Sequence, residues 1–83
     1  MLPLSTHAIT AMKRRQIPEH VVMMIYEHPT QKIPLANGRE IWQNTVCMDG
    51  KEYVVRLIVE PEPTPTIVTV YRSSKIEKYW RAL

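Results

Sequence analysis

Four side chains have types and positions suited to proton transfer and anion binding. His7 can give or take a proton, because an imidazole titrates near neutral pH. Arg15 can hold two phosphate oxygens in a bidentate fork. Thr69 and Tyr71 are two residues apart in a strand-like run, so their hydroxyls point to the same side and can serve one ligand. Arg56, on the polar face of the preceding strand-like run, adds a further cation.

These residues also have ordinary structural interpretations. His7 is equally a solvated histidine in the first turn of a helix, and Arg15 is equally a salt-bridge partner at a helix end. Threonine is common in strands because its branched side chain suits the pleat. His7 and Arg15 are eight residues apart, about 12 Å along a helix, so they could contact only different parts of one ligand.

Three segments together resemble a bacterial family of small domains of unknown function: residues 5–8, 15–17 and 67–72. The family pattern is His-Ala, an Arg-Met pair, Arg-x-Ile and a later Thr-x-Tyr strand. The resemblance covers nearly the whole chain, and it matches His7, Arg15, Thr69 and Tyr71 to the motif. The Arg-Met pair reads Ala-Met here, with Ala11 in place of the arginine.

That family is similar in layout to the barnase, EndoU, colicin and RelE group of metal-independent ribonuclease folds, in which two helices precede an antiparallel sheet. The resemblance therefore implies RNA cleavage: a base takes the proton of the attacking 2'-hydroxyl, an acid protonates the leaving oxygen, and cations stabilise the phosphorane. It assigns proton transfer to His7 and phosphate binding to Arg15. In this resemblance, Thr69 and Tyr71 form hydrogen bonds with a phosphate or with the attacking hydroxyl.

Partners follow from the same resemblance. As the toxin of a toxin-antitoxin pair, the protein would act on RNA and bind a cognate antitoxin protein. The alternative is a non-catalytic RNA- or protein-binding module of the same fold, which Ala11 favours. A third hypothesis is an accessory domain of a mobile element with no RNA contact.

Further basic residues are candidate RNA contacts: Arg14, Arg56, Arg72 and Lys75. A run such as residues 13–15 is usually a solvated helix face. The C-terminal segment mixes basic residues with Tyr79 and Trp80, and such a mixture can stack bases while it binds phosphates. In so small a domain, such residues are more commonly apolar anchors that dock the segment onto the sheet, here Ile76, Tyr79 and Trp80.

Neither a metal nor a cofactor is expected. His20 and His28 are eight residues apart on one predicted helix and lack a His, Cys, Asp or Glu partner at a known ligand spacing. Gly38 and Gly50 are each explained by a turn, which leaves no glycine-rich phosphate loop. Cys47, the only cysteine, is predicted to be a buried thiol in a strand.

The composition predicts one domain spanning residues 1–83, since a second core could not be filled at this length. Eleven basic and eight acidic side chains give a net charge of +3, which suits a polyanionic partner without requiring one. No apolar stretch approaches the roughly 18 residues of a membrane helix, and no secretory signal is visible. With a single cysteine, these features predict a cytoplasmic protein that does not contact a membrane.

Two helices are predicted at the start of the chain. Ser5 is an N-cap residue, so a helix should run from Thr6 to about Arg15. A second helix should follow Pro18 and end before Pro29. Apolar spacing assigns the following residues to the buried sides: Ala8, Ile9 and Met12 in the first helix, Val21, Met24 and Ile25 in the second.

The rest of the chain has strand spacing. Strands are predicted over residues 31–35, 39–48, 52–60 and 66–72, with tight turns at Asn37-Gly38 and Asp49-Gly50. In the last strand, Ile67, Thr69 and Tyr71 should share one face. A serine, 73 or 74, should cap a short terminal helix. The predicted fold is α+β: two N-terminal helices followed by a four-stranded antiparallel meander sheet and a short C-terminal helix.

Overall fold

A computed structural model describes residues 2–81 and confirms the predicted α+β fold. Its elements are α1 (Thr6–Arg14), α2 (Glu19–Glu27), β1 (Gln31–Pro34), β2 (Glu40–Met48), β3 (Lys51–Glu60), β4 (Thr66–Ser73) and α3 (Ile76–Tyr79). The strands form one antiparallel sheet in the order β1-β2-β3-β4. Among residues 2–81, no helix is long and apolar enough to cross a membrane.

The predicted N-cap of α1 is confirmed, and the same residue ties the helix to β4. Ser5 Oγ accepts a hydrogen bond from the Ala8 amide over 3.0 Å and donates one to the Val68 carbonyl over 2.9 Å. The Ser5 amide also donates to the Ile67 carbonyl over 2.9 Å. Helix α1 therefore begins beside the start of β4 and covers that edge of the sheet.

Helix α1 ends in a Schellman motif, although the sequence has no glycine there. The Ile17 amide donates to the Met12 carbonyl over 2.9 Å, and the Gln16 amide donates to the Lys13 carbonyl over 3.3 Å. This geometry puts Gln16 in the left-handed region, with φ of 54°. Ile17 is then buried with the core, so the motif fixes where the chain turns into α2.

The sheet has two different faces. The helix face carries Trp42, Leu57 and Val70, which pack against the buried sides of α1 and α2. The tail face is the opposite one, which carries Gln43, Arg56 and Tyr71. It is contacted by the C-terminal segment, residues 75–81, which we call the tail.

The β2–β3 hairpin has the tight turn that Asp49 and Gly50 predict. Both residues have positive φ, 54° and 75°, as a two-residue hairpin turn of this type requires. The turn sets the register of the two long strands, so that Gln43 lies opposite Arg56. The opposed position of these two residues therefore follows from a turn of only two residues.

The predicted alternation of β4 is wrong at one point. Thr69 pairs with Ile58, but Ile67 pairs with Val59, so Val68 is an extra residue in a β-bulge. Because the bulge reverses the alternation, Ile67 lies in the core on the helix face, whereas Thr69 and Tyr71 keep the tail face.

Some predicted burial is also wrong. Ile9 and Met24 are 42% and 41% exposed, and Ala11 and Val22 are buried instead. The buried residues of α1 are Ala8 and Ala11, with Met12 packed against the core, so Ile9 lies outside this contact. Cys47 is exposed rather than buried, because it lies opposite Glu52 near the end of the β2–β3 hairpin.

The predicted serine cap of the terminal helix is wrong as well. Helix α3 begins after Lys75, with no side-chain hydrogen bond at its cap. Ser73 Oγ instead accepts a hydrogen bond from the Lys75 amide over 3.0 Å, one residue before the helix. The serine therefore stabilises the turn that leads from β4 into the tail.

Candidate functional site

A row of four polar residues, one from each strand, crosses the tail face. The register aligns Gln31 with Gln43, Gln43 with Arg56, and Arg56 with Tyr71. The first three are buried, with Gln43 fully enclosed and Gln31 and Arg56 each 7% exposed. Four polar side chains in the middle of a sheet face are costly unless they satisfy one another.

They do so through a continuous chain of hydrogen bonds. Gln43 Nε2 donates to Gln31 Oε1 over 2.7 Å, and Arg56 Nε donates to Gln43 Oε1 over 2.8 Å. Arg56 Nη1 donates to Tyr71 Oη over 2.6 Å. Since the phenol oxygen accepts this bond, its own proton remains available for another acceptor.

The tail closes over the row. The Gln31 and Gln43 amides donate to the carbonyls of Arg81 and Tyr79 over 2.7 Å and 3.1 Å. The Arg81 amide donates back to Gln31 Oε1 over 3.2 Å. The Tyr79 ring centroid lies 4.5 Å from Arg56 Cζ, within the range of a cation–π contact. The prediction that the tail docks onto the sheet through Tyr79 is thus confirmed.

Arg56 is the electrostatic centre of this site. Both of its hydrogen-bond acceptors, Gln43 and Tyr71, are neutral. Within residues 2–81 the one ion pair joins Arg39 to Glu60 over 3.1 Å, so it does not compensate Arg56. A buried cation without an anionic partner costs several kcal/mol, which charge-assisted hydrogen bonds and aromatic rings offset in part. Such a group favours an incoming anion.

The sequence-predicted residues of α1 lie along β4 but outside this row. The bonds of Ser5 place the first turn of α1, which contains His7, beside Val68. His7 is exposed. Arg15 Nη1 donates to the Val70 carbonyl over 2.7 Å, so its guanidinium supports the main chain between Thr69 and Tyr71 rather than forming a salt bridge.

Thr69 lies on the tail face with Tyr71, but it pairs with the apolar residue Ile58 and so lies beside the row and not in it. Within the described chain, Thr69 Oγ1 is a buried polar atom without a hydrogen-bond partner. An unpaired buried hydroxyl costs about 1 to 3 kcal/mol, and the structure gives no compensating contact.

The remaining predicted RNA contacts lie on separate surfaces. Arg72 lies on the helix face, where its Cζ is 4.6 Å from the Tyr53 ring centroid and it lines an open groove of about 430 Å³ beside α2. Arg14 is exposed on α1 and Lys75 is exposed at the start of the tail. The structure brings together only Arg56 and Tyr71 from the predicted set, and it adds Gln31, Gln43 and Tyr79.

One of the missed residues carried a signal in the sequence. A two-residue turn at Asp49-Gly50 pairs residues whose numbers sum to 99, which puts Gln43 opposite Arg56. Gln31 carried no such signal, because five residues separate β1 from β2 and their register does not follow from the turn.

Neither a metal cluster nor a relative identifies the site. No group of three or more His, Cys, Asp or Glu side chains within residues 2–81 is placed to hold a metal ion. No protein-family model, curated protein or solved structure matches the chain. The row of Gln31, Gln43, Arg56 and Tyr71 is therefore the feature of the molecule that indicates a function.

Proposed function

We propose that the protein binds RNA at Arg56 and Tyr71 and cleaves it by attack of the 2'-hydroxyl on the adjacent phosphorus. The observation that carries this proposal is the state of Arg56, a guanidinium 7% exposed, held by neutral partners and 2.6 Å from a phenol oxygen. A phosphate supplies the negative charge that these partners do not.

The site has the groups that RNA binding needs. A guanidinium offers planar donors that match phosphate oxygens, and aromatic rings stack on unpaired bases. The Tyr71 ring lies beside the guanidinium, with its centroid 5.4 Å from Arg56 Cζ. The net charge of +3 supports attraction of a polyanion.

Cleavage would use few groups. A bond forms between the 2'-oxygen and phosphorus while the bond from phosphorus to the 5'-oxygen breaks, leaving a 2',3'-cyclic phosphate and a 5'-hydroxyl. Arg56 stabilises the charged phosphorane. Tyr71 donates its proton to the leaving 5'-oxygen. The proton of the 2'-hydroxyl goes to His7, the base that the family resemblance assigns, which requires the bound RNA to reach from the row to the first turn of α1.

The proposal extends to a biological setting. A ribonuclease of this size fits the toxin of a toxin-antitoxin pair, with a cognate antitoxin protein as its partner and the cytoplasm as its location. Induced expression in bacteria is then expected to arrest growth with decay of cellular RNA, and to do so less when Arg56 is replaced.

A cleavage assay with matched tyrosine variants tests the chemistry. Single-stranded RNA is incubated with the full-length protein in EDTA, and the product ends are identified by mass spectrometry. Wild type should yield 2',3'-cyclic phosphates, and Tyr71→Phe should lower the rate by about 10²- to 10⁴-fold, as the loss of a general acid typically does. Tyr53→Phe is the control, because Tyr53 pairs with Val46 on the helix face.

Two outcomes would contradict the mechanism. Cleavage of DNA, which lacks the 2'-hydroxyl, would exclude attack by that group. An undiminished rate for Tyr71→Phe would remove the phenol from catalysis.

The second candidate is a non-catalytic RNA- or protein-binding module, and Ala11 favours it. Ala11 is 4% exposed in the contact between α1 and the sheet, so the motif position at which the resembled family has arginine offers no phosphate contact. Arg15 is already engaged with the Val70 carbonyl. RNA that is bound at low salt but left intact would support this module over the ribonuclease.

A further inference from the structure

The tail is attached to the sheet largely through the polar row. Helix α3 is only four residues long and has no buried residue, and Lys75, Glu77, Lys78 and Arg81 are exposed. Although α3 itself buries so little, three hydrogen bonds and one cation–π contact join the tail to Gln31, Gln43 and Arg56. What holds the tail in place is therefore the candidate functional site.

The tail contacts have the chemistry of a bound nucleotide. An aromatic ring, that of Tyr79, lies 4.5 Å from the guanidinium of Arg56, where a base would stack. Two carbonyl oxygens, of Tyr79 and Arg81, accept hydrogen bonds from two glutamine amides. Base-edge carbonyls, such as those of uracil, are acceptors of the same kind.

The row does not depend on the tail for its own geometry. The bonds from Gln43 to Gln31, from Arg56 to Gln43 and from Arg56 to Tyr71 all lie within the sheet. Departure of the tail therefore leaves the donors aligned by β1 to β4. It frees the Gln31 and Gln43 amide hydrogens and the face of Arg56 for another ligand.

We propose, on the basis of the function proposed above, that the tail is a built-in competitor that occupies the RNA site, and that RNA binds by displacing it. The preferred ligand is a single-stranded segment whose base presents carbonyl oxygens to Gln31 and Gln43. Closure reduces the apparent affinity for RNA to its intrinsic value multiplied by the fraction of molecules in which the tail is open. Weakening the tail contact raises that fraction.

Matched variants of Tyr79 test the competition. Binding of fluorescein-labelled 2'-O-methyl oligouridine, eight nucleotides long, is measured by anisotropy, since the 2'-methyl group prevents cleavage. Tyr79→Ala removes the stacked ring and should bind on the order of 10-fold more tightly than wild type. Tyr79→Phe keeps the ring and should bind as wild type does. The corresponding oligoadenosine, whose base has no carbonyl, should bind more weakly to all three proteins.

A second measurement does not depend on any variant. The Arg81 amide donates to Gln31 Oε1, so its hydrogen exchange in the wild-type protein reports whether the tail is closed. Saturating oligouridine should accelerate that exchange.

The possible failures are distinguishable by design. If RNA binds while Arg81 exchange stays unchanged, or if Tyr79→Ala binds more weakly than wild type, the competition is overturned and the proposed RNA function stands. Equal affinity for oligouridine and oligoadenosine overturns the assignment of the glutamines to the base edge. If neither wild type nor Tyr79→Ala binds any RNA, the proposed function falls and the competition falls with it.

Discussion

Arg56 and Tyr71 lie directly opposite each other on neighbouring strands, and Arg56 Nη1 donates to Tyr71 Oη over 2.6 Å. The pair combines a buried cation with a hydroxyl that can still donate its proton. Gln43 fixes the other side of the guanidinium through its Oε1, 2.8 Å from Arg56 Nε. The arginine is therefore held at two of its nitrogens in a set orientation.

We expect Arg56→Lys to weaken RNA binding by about 10- to 100-fold, although it preserves the charge. A lysine ammonium cannot reproduce the planar fork that serves Gln43, Tyr71 and a phosphate together, and charge-assisted hydrogen bonds are each worth about 1.5 to 3 kcal/mol. Fluorescence anisotropy with labelled RNA measures the change. Arg39→Lys is the control, since Arg39 forms a half-exposed ion pair with Glu60. Equal losses in both variants would show that only net charge matters.

We expect His7→Ala to lower the cleavage rate by about 10²- to 10⁴-fold and to leave RNA affinity unchanged, as the loss of a general base does. His7 is exposed, so the free energy of unfolding should change by less than about 0.5 kcal/mol. Single-turnover cleavage and urea denaturation measure the two quantities. His20→Ala, on α2, is the matched control and should keep the wild-type rate. A His7→Ala enzyme as fast as wild type would assign the base to another group.

Ser5→Ala should lower the free energy of unfolding by about 1 to 2 kcal/mol. One hydroxyl caps α1 through the Ala8 amide and ties the helix to β4 through the Val68 carbonyl, so a single substitution removes both bonds. Urea denaturation gives the value. Thr6→Ala, at the next and exposed position, should change stability by only a few tenths of a kcal/mol. Similar losses in the two variants would mean that the cap contributes nothing specific.

Gln16→Gly should stabilise the protein by about 0.5 to 1 kcal/mol, the opposite of the usual effect of adding glycine. Gln16 has φ of 54° in the Schellman motif, where an L-residue is strained and glycine is not. Thermal or urea denaturation of Gln16→Gly beside Gln16→Ala separates backbone strain from loss of the side chain. A glycine variant less stable than the alanine variant would contradict this account.

Local patterns predicted the elements well, because their causes are local. Ser5 caps α1, Pro18 and Pro29 bracket α2, and Asp49-Gly50 closes a hairpin of fixed register. Caps, prolines and tight turns act within a few residues of their own position, so the chain alone specifies them.

The sequence predicted less well which side chains are buried and which face of the sheet they occupy, since both depend on how the helices and strands approach one another. Ile9 and Met24 have the spacing of core residues but are more than a third exposed, because α1 and α2 pack through smaller neighbours. The bulge at Val68 moved Ile67 to the helix face. Neither the exact side of each helix that packs on the sheet nor the bulge follows from the local pattern of residues.

The residues of the candidate site also fall into two groups, those that local patterns predict and those that only the folded sheet brings in. Within β3 and within β4, alternation with a period of two predicts which residues share a face with Arg56 and with Tyr71. The two-residue turn at Asp49-Gly50 also puts Gln43 opposite Arg56, whereas the place of Gln31 in the row and the closure by Tyr79 follow only from the folded sheet. Gln31 and Arg81 are 50 positions apart in the chain, so they meet only because the assembled sheet places β1 beside the tail, and no pattern within a few residues encodes that contact.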